Sequence, residues 1–213
     1  MTDTTYATIE EMRGQYGSID SKFDGAIQMC LNAAAEALDG TCNWGVPLAA
    51  PATASSGMFV GSGKAFQDID LCVSVTTVEV KESPTDAAWI TLTAGTYLPF
   101  RGEPRFPNFN AERFNGLVLL GSGRSIFPLG QSPAFEFGLP TVRVTGRFGY
   151  GSELPANAKS AVLLQACRWF KRGESAWADA ISKGELGQLQ FRKALDPDYA
   201  AMIHNARLVK PTI

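Results

Sequence analysis

The stretch Leu71-Cys-Val-Ser-Val-Thr-Thr-Val-Glu-Val80 is the clearest structural signal in the chain. It is rich in β-branched residues and alternates between apolar and polar side chains, which predicts a half-buried β-strand. The segment Glu82-Ser-Pro-Thr-Asp86 has the composition of a turn, and Trp89-Ile-Thr-Leu-Thr93 predicts the returning strand. These features indicate an antiparallel β region in the middle of the chain.

The same region continues on the C-terminal side. Residues 117–120 and 141–145 are short apolar or alternating runs that predict two more strands. Between the predicted strands lie two long loops rich in glycine and proline, residues 99–115 and 121–137.

Helical patterns flank the β region. Thr8 and Glu11 have the spacing of a capping box and predict a short first helix. Residues 21–38 carry apolar side chains at steps of three and four, which predicts one apolar helix face. Gly40 follows this run, at the position where a helix often ends in a left-handed residue.

Two further helices are predicted near the C-terminus. Pro155 suits the first turn of a helix over residues 155–172, because its missing N–H group is not needed there. Asp196 and Pro197 have the residue types of an N-cap and a first helical position, so they begin a last helix. Both ends of the chain are therefore predicted to be helical.

These elements predict an α+β fold, a helical bundle with long helices at both ends of the chain and an inserted antiparallel β region. Residues 1–50 form the N-terminal helical segment and residues 51–152 form the inserted β region with long loops. Residues 153–213 form the C-terminal helical segment, which completes the helical bundle. At 213 residues, the chain is long enough to bury a core without disulfides.

Composition argues against tight binding of nucleic acid. The chain has 19 Lys and Arg against 21 Asp and Glu, a net charge of −2. Proteins that bind the phosphate backbone of nucleic acid usually have an excess of basic residues. Charged residues make up 19% of the chain, below the usual fraction of about 25%. A low charged fraction favours a subunit with large protein–protein contacts.

Cysteine spacing and hydropathy indicate a protein without metal, cofactor or membrane segment. The four cysteines are Cys30, Cys42, Cys72 and Cys167. None of their spacings matches a zinc or redox motif. The N-terminus lacks the pattern of a signal peptide, and no apolar run reaches the roughly 18–20 residues of a membrane span. We expect free thiols in a reducing cytoplasm, where the protein would assemble.

The residues capable of catalysis are few and scattered. His204 is the single histidine, and a Ser–His–Asp or Cys–His site would have to use it. No partner motif accompanies His204, so we favour a surface or partly buried histidine. Asp68 and Asp70 point to the same side of an extended chain and could bind a cation, but a solvated strand edge is the more frequent arrangement.

Two glycine-rich segments resemble phosphate-binding loops without completing one. These segments are Gly61-Ser-Gly63-Lys64 and Gly121-Ser-Gly123-Arg124. A P-loop needs four residues between its glycines, followed by Lys and then Ser or Thr. A dinucleotide-binding loop needs a third glycine where this chain has Phe66 and Ile126. We therefore interpret both segments as turns.

Two aromatic surfaces are candidates for interactions. Aromatic and arginine side chains alternate at Phe100, Arg101, Arg105, Phe106, Phe109, Arg113 and Phe114. This stretch resembles a nucleic-acid surface, but we favour core packing or a subunit contact, where aromatics and Arg are also enriched. The second surface is a helix face made by Val162, Leu163, Cys167, Trp169 and Phe170. It is apolar over most of its circumference, which predicts burial in the core or against another subunit.

The order of elements resembles the phage head–tail connector (adaptor) protein family from about residue 20 onward. The similar segments are Asp70-Leu71 with Ser74-Val-Thr-Thr-Val78, Val142-Arg-Val-Thr-Gly-Arg-Phe-Gly-Tyr150 with Leu154-Pro155, Gln165-Ala166 and Phe170-Lys-Arg172, and Leu195-Asp-Pro-Asp198 with Met202-Ile203 and Arg207. The loops 99–115 and 121–137 depart from the family pattern.

The resemblance implies a structural virion protein that is not an enzyme. It implies a ring, typically a dodecamer, that docks on the portal protein at the capsid vertex and extends the DNA channel. DNA would pass through the lumen without specific binding, and the ring would offer an attachment surface to the next tail or head-closure component.

The C-terminal segment is the candidate portal interface. Its apolar residues are Tyr199, Met202, Ile203, Leu208, Val209, Pro211 and Ile213. A short apolar helix and tail must pack on a neighbouring surface, and connector C-termini commonly engage the portal. The tail could instead fold back on its own β region.

Two alternatives to the connector function remain. One is a neighbouring structural role, a head-closure or tail-terminator subunit, which would be richer in β structure. The other is a small enzyme of an unrecognised type, which would need a convergent polar pocket that the sequence does not display.

Overall fold

The computed structural model describes residues 6–17, 19–121, 124–130, 138–174, 180–182, 189–191, 197–206 and 208–210. The chain divides into two compact units. The helical unit consists of Met1–Trp44 with Leu154–Ile213, and the sheet unit consists of Gly45–Glu153. The sheet unit is therefore continuous in sequence, while the helical unit is made from two separate segments.

The sheet unit is built on a six-stranded antiparallel sheet. Its strands are β1 (Ser55–Val60), β2 (Phe66–Val80), β3 (Ile90–Thr91), β4 (Tyr97–Phe100), β5 (Phe114–Leu119) and β6 (Pro140–Phe148). The order across the sheet is β1-β6-β2-β5-β4, and β3 pairs with the end of β2. The long β2 lies at the centre because its first half pairs with β5 and its second half pairs with β6.

One face of the sheet carries the core of this unit. The buried residues are Ile69, Cys72, Val78, Val80, Leu117, Leu119, Phe127, Val142 and Val144. The predicted strands at residues 71–80 and 141–145 are confirmed as parts of β2 and β6, and the one at residues 117–120 overlaps β5, which ends at Leu119. The predicted returning strand at residues 89–93 is reduced to the two residues of β3, and β1 and β4 were not predicted.

The two ends of the sheet unit are bonded to each other. Ala49 and Gly151 form a parallel bridge, and the Ala50 N–H group donates to the Gly151 carbonyl at 2.8 Å. The Tyr150 N–H group donates to the Pro47 carbonyl at 2.9 Å. The chain therefore enters and leaves this unit side by side.

The helical unit contains four α-helices among its described residues. They are α1 (Ile9–Tyr16), α2 (Asp24–Cys42), α3 (Ala156–Glu174) and α4 (Pro197–Asn205), and a 3₁₀ turn at Ser21–Phe23 precedes α2. Two short strands, β7 (Ala180–Ser182) and β8 (Leu189–Phe191), pair with each other. No helix in the described part of the chain is long and apolar enough to span a membrane.

Helix α3 packs against α1, α2 and α4. The largest fully buried side chains of the helical unit are Met12, Ile27, Leu31, Leu38, Tyr199 and Ile203. An ion pair between Glu11 and Lys159 joins α1 to α3. The hydrogen bond from Lys159 lowers the pKa of the Glu11 carboxyl.

The capping predictions had different outcomes. The capping box at Thr8 is confirmed, because its hydroxyl accepts from the Glu11 N–H group at 3.2 Å and the Glu11 carboxylate accepts from the Thr8 N–H group at 2.9 Å. The predicted helix end at Gly40 is wrong, since α2 continues to Cys42 and ends at Asn43 with a φ angle of 53°. Asparagine tolerates this left-handed conformation better than most residues. The predicted N-cap Asp196 lies outside the described residues.

The predicted helical bundle with long helices at both ends of the chain is wrong. The helices nearest the two ends, α1 and α4, have only eight and nine residues, and α2 and α3 have 19 residues each. The six-stranded antiparallel sheet has its own core and forms a unit of its own. Apolar periodicity identified helix faces correctly, but it did not reveal β1 and β4, so the extent of the sheet was underestimated.

Candidate functional site

The predicted apolar face of α3 divides into a buried part and an accessible part. Val162, Leu163 and Phe170 are buried within the helical unit, whereas Cys167 and Trp169 are half-buried. The Phe170 ring meets the Phe23 ring edge-on, with 5.9 Å between the ring centroids. This contact joins the end of α3 to the start of α2, and the accessible part of the face lies beside it.

An apolar cavity of about 600 Å³ lies between α2 and α3 within the helical unit. It is lined by Phe23, Ala26, Met29, Cys30, Ala33, Trp169, Phe170, Arg172 and Gly173. Among the described residues of this lining, Arg172 is the one that carries a charge. Met29 is 75% exposed, so the cavity opens to solvent. The described lining residues can bind an apolar group, and they include no acid and base pair for catalysis.

The thiols near the cavity are poorly suited to nucleophilic chemistry. Burial raises the pKa of Cys30, which lines the cavity, and burial also raises the pKa of Cys167 on α3. Cys42 and Cys72 are buried more completely, and burial raises their pKa values to about 11 and about 12. All four cysteines are free. At neutral pH these thiols stay protonated, and the thiolate is the reactive form.

The candidate portal interface is largely folded onto the helical unit. Tyr199, Ile203 and Leu208 are buried there. The indole N–H group of Trp44 donates to the Leu208 carbonyl at 2.6 Å, and the Lys210 N–H group donates to the Cys42 carbonyl at 2.9 Å. The segment therefore packs back on the end of α2 as far as Lys210.

The remaining residues of that interface are placed differently. Met202 and Val209 are half-buried and keep part of their surface in solvent. Pro211 and Ile213 lie outside the described residues. Contact between this segment and a portal protein stays a prediction.

The polar candidates do not converge on one place. His204 is exposed on α4, and Asp68 and Asp70 are both exposed on β2. Within the described residues, no three His, Cys, Asp or Glu side chains are grouped so that they could hold a metal ion.

The first glycine-rich segment is the turn between β1 and β2. Two of its N–H groups are bonded within the sheet unit: Gly61 donates to the Thr141 hydroxyl at 3.1 Å, and Ser62 donates to the Gln67 side-chain oxygen at 2.9 Å. Thr141 and Gln67 are both buried. These donors are therefore directed into the protein and not towards a phosphate site. Of the second segment, residues 122 and 123 lie outside the described residues.

The aromatic and arginine stretch combines core residues with an exposed loop. Phe100 is buried and Phe114 packs against the sheet core, whereas Phe106 is 82% exposed and Phe109 is 44% exposed. Arg113 lies over the Tyr150 ring at 3.8 Å. Core packing therefore accounts for only part of the stretch.

Residues 101–108 form a defined structure that we call the tip loop. Arg101 and Asn108 exchange two backbone hydrogen bonds of 2.9 and 3.0 Å. The Phe106 N–H group donates to the Glu103 carbonyl at 2.9 Å, and the side chain of Asn115 accepts from the Gly102 N–H group at 2.9 Å. The exposed Phe106 ring is therefore presented on a hydrogen-bonded turn.

A charged cluster on β2 and β6 was not predicted from the sequence. Arg143 donates two hydrogen bonds of 2.6 Å to the Glu79 carboxylate, and its guanidinium lies 4.6 Å from the centroid of the Trp89 ring. The hydrogen bond from Arg143 lowers the pKa of Glu79. The two residues are 64 positions apart, so only strand pairing brings them together.

We expect Glu79→Gln to reduce the free energy of unfolding at neutral pH by no more than about 1 kcal/mol, since it removes an ion pair that solvent partly screens. A carboxyl with a lowered pKa in the folded state stabilises the protein above its unfolded pKa, and this stabilisation is lost as the pH falls through the folded value. Urea unfolding at several pH values below neutral should show that the difference in free energy of unfolding between the wild type and the variant becomes smaller as the pH falls. Glu112→Gln, at an exposed glutamate, is the control. If the difference in free energy of unfolding between the wild type and Glu79→Gln stays the same at low pH, the Glu79–Arg143 ion pair is not its cause.

Comparison with known proteins gives a likeness of fold only. No protein-family model matches the sequence, and no curated protein matches it. A chain in a structure described as the neck of an empty GTA particle, computed with C6 symmetry, matches 100% of this chain over 94% of its own length, with 15% identity and a TM-score of 0.59. A chain in the virion of a native gene transfer agent (GTA) particle matches with the same coverage, 16% identity and a TM-score of 0.56. The chain thus shares its fold with chains of phage-like particles, one of them from a particle neck.

Proposed function

We propose that this protein is a structural subunit of the neck of a phage-like particle, namely a head-to-tail connector that assembles as a ring. The observation that carries the proposal is the fold likeness over the whole chain to a chain from a particle neck. The site supports a structural role over catalysis, because its cavity is apolar and the adjacent thiols have raised pKa values.

In the proposed role the ring docks on the portal protein, extends the DNA channel and receives the next tail component. A dodecamer would fit a portal-bound adaptor, and the protein would assemble in the host cytoplasm before it enters the virion. A net charge of −2 supports a conduit, since a strongly basic lumen would hold DNA where DNA has to move.

A head-closure subunit is the second candidate. The six-stranded sheet with its own core makes the protein richer in β structure than the sequence predicted. Head-closure and tail-terminator subunits are expected to be β-rich. The large sheet therefore supports such a role more strongly than the sequence did. Direct binding to the portal distinguishes the two candidates, because an adaptor contacts the portal itself.

The test is to image the purified full chain by negative-stain electron microscopy and to measure its mass by light scattering, alone and with its portal protein. We expect rings, either alone at high concentration or on the portal. A protein that stays monomeric and never joins the portal would refute the proposal. Rings that form but do not bind the portal protein would favour the head-closure role.

A short truncation tests the docking segment within the same experiment. Leu208 is buried and Lys210 bonds to Cys42, so deleting both residues would also disturb the end of α2. Deleting residues 211–213 alone leaves Leu208 and Lys210 in the chain. If the tail docks on the portal, the truncated protein should keep its melting temperature and lose portal binding. Full portal binding by a stably folded truncated protein would exclude residues 211–213 as the docking element.

A further inference from the structure

The tip loop and the residue after it expose aromatic rings to solvent. Phe106 is the most exposed large apolar side chain among the described residues, at 82%, and Phe109 is 44% exposed. Phe106 stands on a turn closed by a backbone hydrogen bond to Glu103 and lies between Pro104 and Pro107. A preorganised loop loses little conformational freedom on binding, so its exposed ring can contribute most of its burial energy to a contact.

The tip loop also carries an excess of positive charge. Its charged residues are Arg101, Glu103 and Arg105, two cations against one acid, so its formal charge is +1. Arg105 is exposed next to Phe106, and no ion pair of the described residues involves either arginine. The chain as a whole has a net charge of −2, so this excess is a local one. Charge complementarity therefore indicates an anionic partner for the loop.

The exposed side chains are of the types that contact nucleic acid. Arginine binds phosphate, phenylalanine stacks on the faces of bases, and asparagine, present here at Asn108 and Asn110, hydrogen-bonds to base edges. Aromatics and arginine are also enriched in protein interfaces, but the core of such an interface is depleted of charge and of acids in particular. Here Arg105 adjoins the exposed ring and Glu103 shares its turn, which favours a nucleic acid over a protein.

We propose that the tip loop, together with Phe109, binds unpaired nucleotides of a DNA strand. The arginines contact phosphates and the phenylalanine rings stack on bases, so the contact does not depend on base sequence. The inference rests on the proposed function for the source of the DNA, which is the strand that a neck conduit carries. One net positive charge per loop is too little to hold DNA tightly, so the contact is compatible with DNA that moves.

The test is fluorescence anisotropy of a short labelled oligo(dT) titrated with the full chain, at roughly 50 and 200 mM salt. We expect a Kd on the order of 10⁻⁴ M at the lower salt, the weak end of sequence-independent binding. A duplex of the same length should bind more weakly, by about fivefold or more, because base pairing and stacking hide the base faces from the phenylalanine rings.

Substitutions at the loop identify the contact. Phe106→Ala should weaken binding of oligo(dT) by about fivefold or more, the loss expected for one stacked base. Arg105→Gln should weaken binding and reduce the slope of log Kd against log salt by about 0.7, the value for one phosphate contact with a single strand. Met58→Ala and Lys64→Gln are the matched controls, since both positions are exposed elsewhere on the sheet unit, and they should bind as the wild type does.

The outcomes separate this inference from the proposed function. Absence of oligo(dT) binding at low salt, binding that both loop variants retain in full, or equal affinity for the duplex would overturn the inference and leave the ring standing. A preference for oligo(U) of the same length would overturn the assignment to DNA. If the loop variants bind oligo(dT) normally but no longer form rings or join the portal, the loop is a protein contact and the inference fails. Binding that both variants lose, in a chain that never forms rings, would support the inference and count against the connector role.

Discussion

Phe170→Ala should destabilise the protein by about 3–5 kcal/mol, the usual cost of removing a buried aromatic side chain. Phe170 is only 4% exposed and packs edge-on against Phe23. Its removal leaves a hole where α2 and α3 meet and also eliminates one wall of the apolar cavity. Urea unfolding followed by circular dichroism measures the loss.

The neighbouring Trp169→Ala is the matched control. The sequence alone predicts that it costs about 3–5 kcal/mol, because Trp169 lies in the most apolar helix. The structure corrects this expectation, since Trp169 is half-buried and lines the cavity. We now expect about 1–2 kcal/mol, in proportion to the smaller area withdrawn from water. Equal losses for the two variants would show that Trp169 is covered in the folded protein.

Gly146→Ala should cost about 3 kcal/mol or more, at the upper end of what overpacking usually costs. A Cβ atom at Gly146 would lie 2.2 Å from the carbonyl oxygen of Ser74 and 3.3 Å from the Val75 Cα atom. Both are backbone atoms of β2, and Gly146 also pairs with Ser55 of β1. The central strands would have to separate, so the melting temperature should fall by many degrees.

Gly40→Ala is the control for Gly146→Ala and should increase the free energy of unfolding, whereas Gly146→Ala should decrease it. Gly40 lies within α2, and a Cβ atom added there meets nothing within 4 Å. Alanine should therefore stabilise the helix by about 0.5–1 kcal/mol. If both variants destabilise the protein to a similar degree, the steric explanation for Gly146 fails.

The elements that the sequence predicted are those in which one face is buried and the pattern is local. Alternation identified β2, and the Thr8 capping box was found from its spacing alone. β1 was missed because Ser55-Ser-Gly-Met-Phe-Val60 mixes small polar residues with glycine. β4 was missed because Pro99 argues against a strand, although proline is tolerated at a sheet edge such as this one.

The site was only partly predictable for a related reason. The apolar face around Trp169 and Phe170 follows from helical periodicity within α3. The other wall of the cavity, from Phe23 to Ala33, lies far away in sequence, and no local pattern pairs the two. The same holds for Glu79 and Arg143, which strand register alone brings together. Contacts of this kind belong to tertiary structure.

The bonded ends of the sheet unit have a consequence for the order of folding. Helices α2 and α3 are neighbours in space, yet roughly 110 residues separate them along the chain. Once Ala49 and Gly151 have paired, the free loop between the helices shrinks to about ten residues, and the entropy cost of closing it falls by about 2 kcal/mol. The paired ends of the sheet unit thus hold together the two chain segments that lead to α2 and α3. A chain whose sheet forms first joins its helices as if they were adjacent, and pulse-labelled hydrogen exchange should find protection in β2 and β6 before α3.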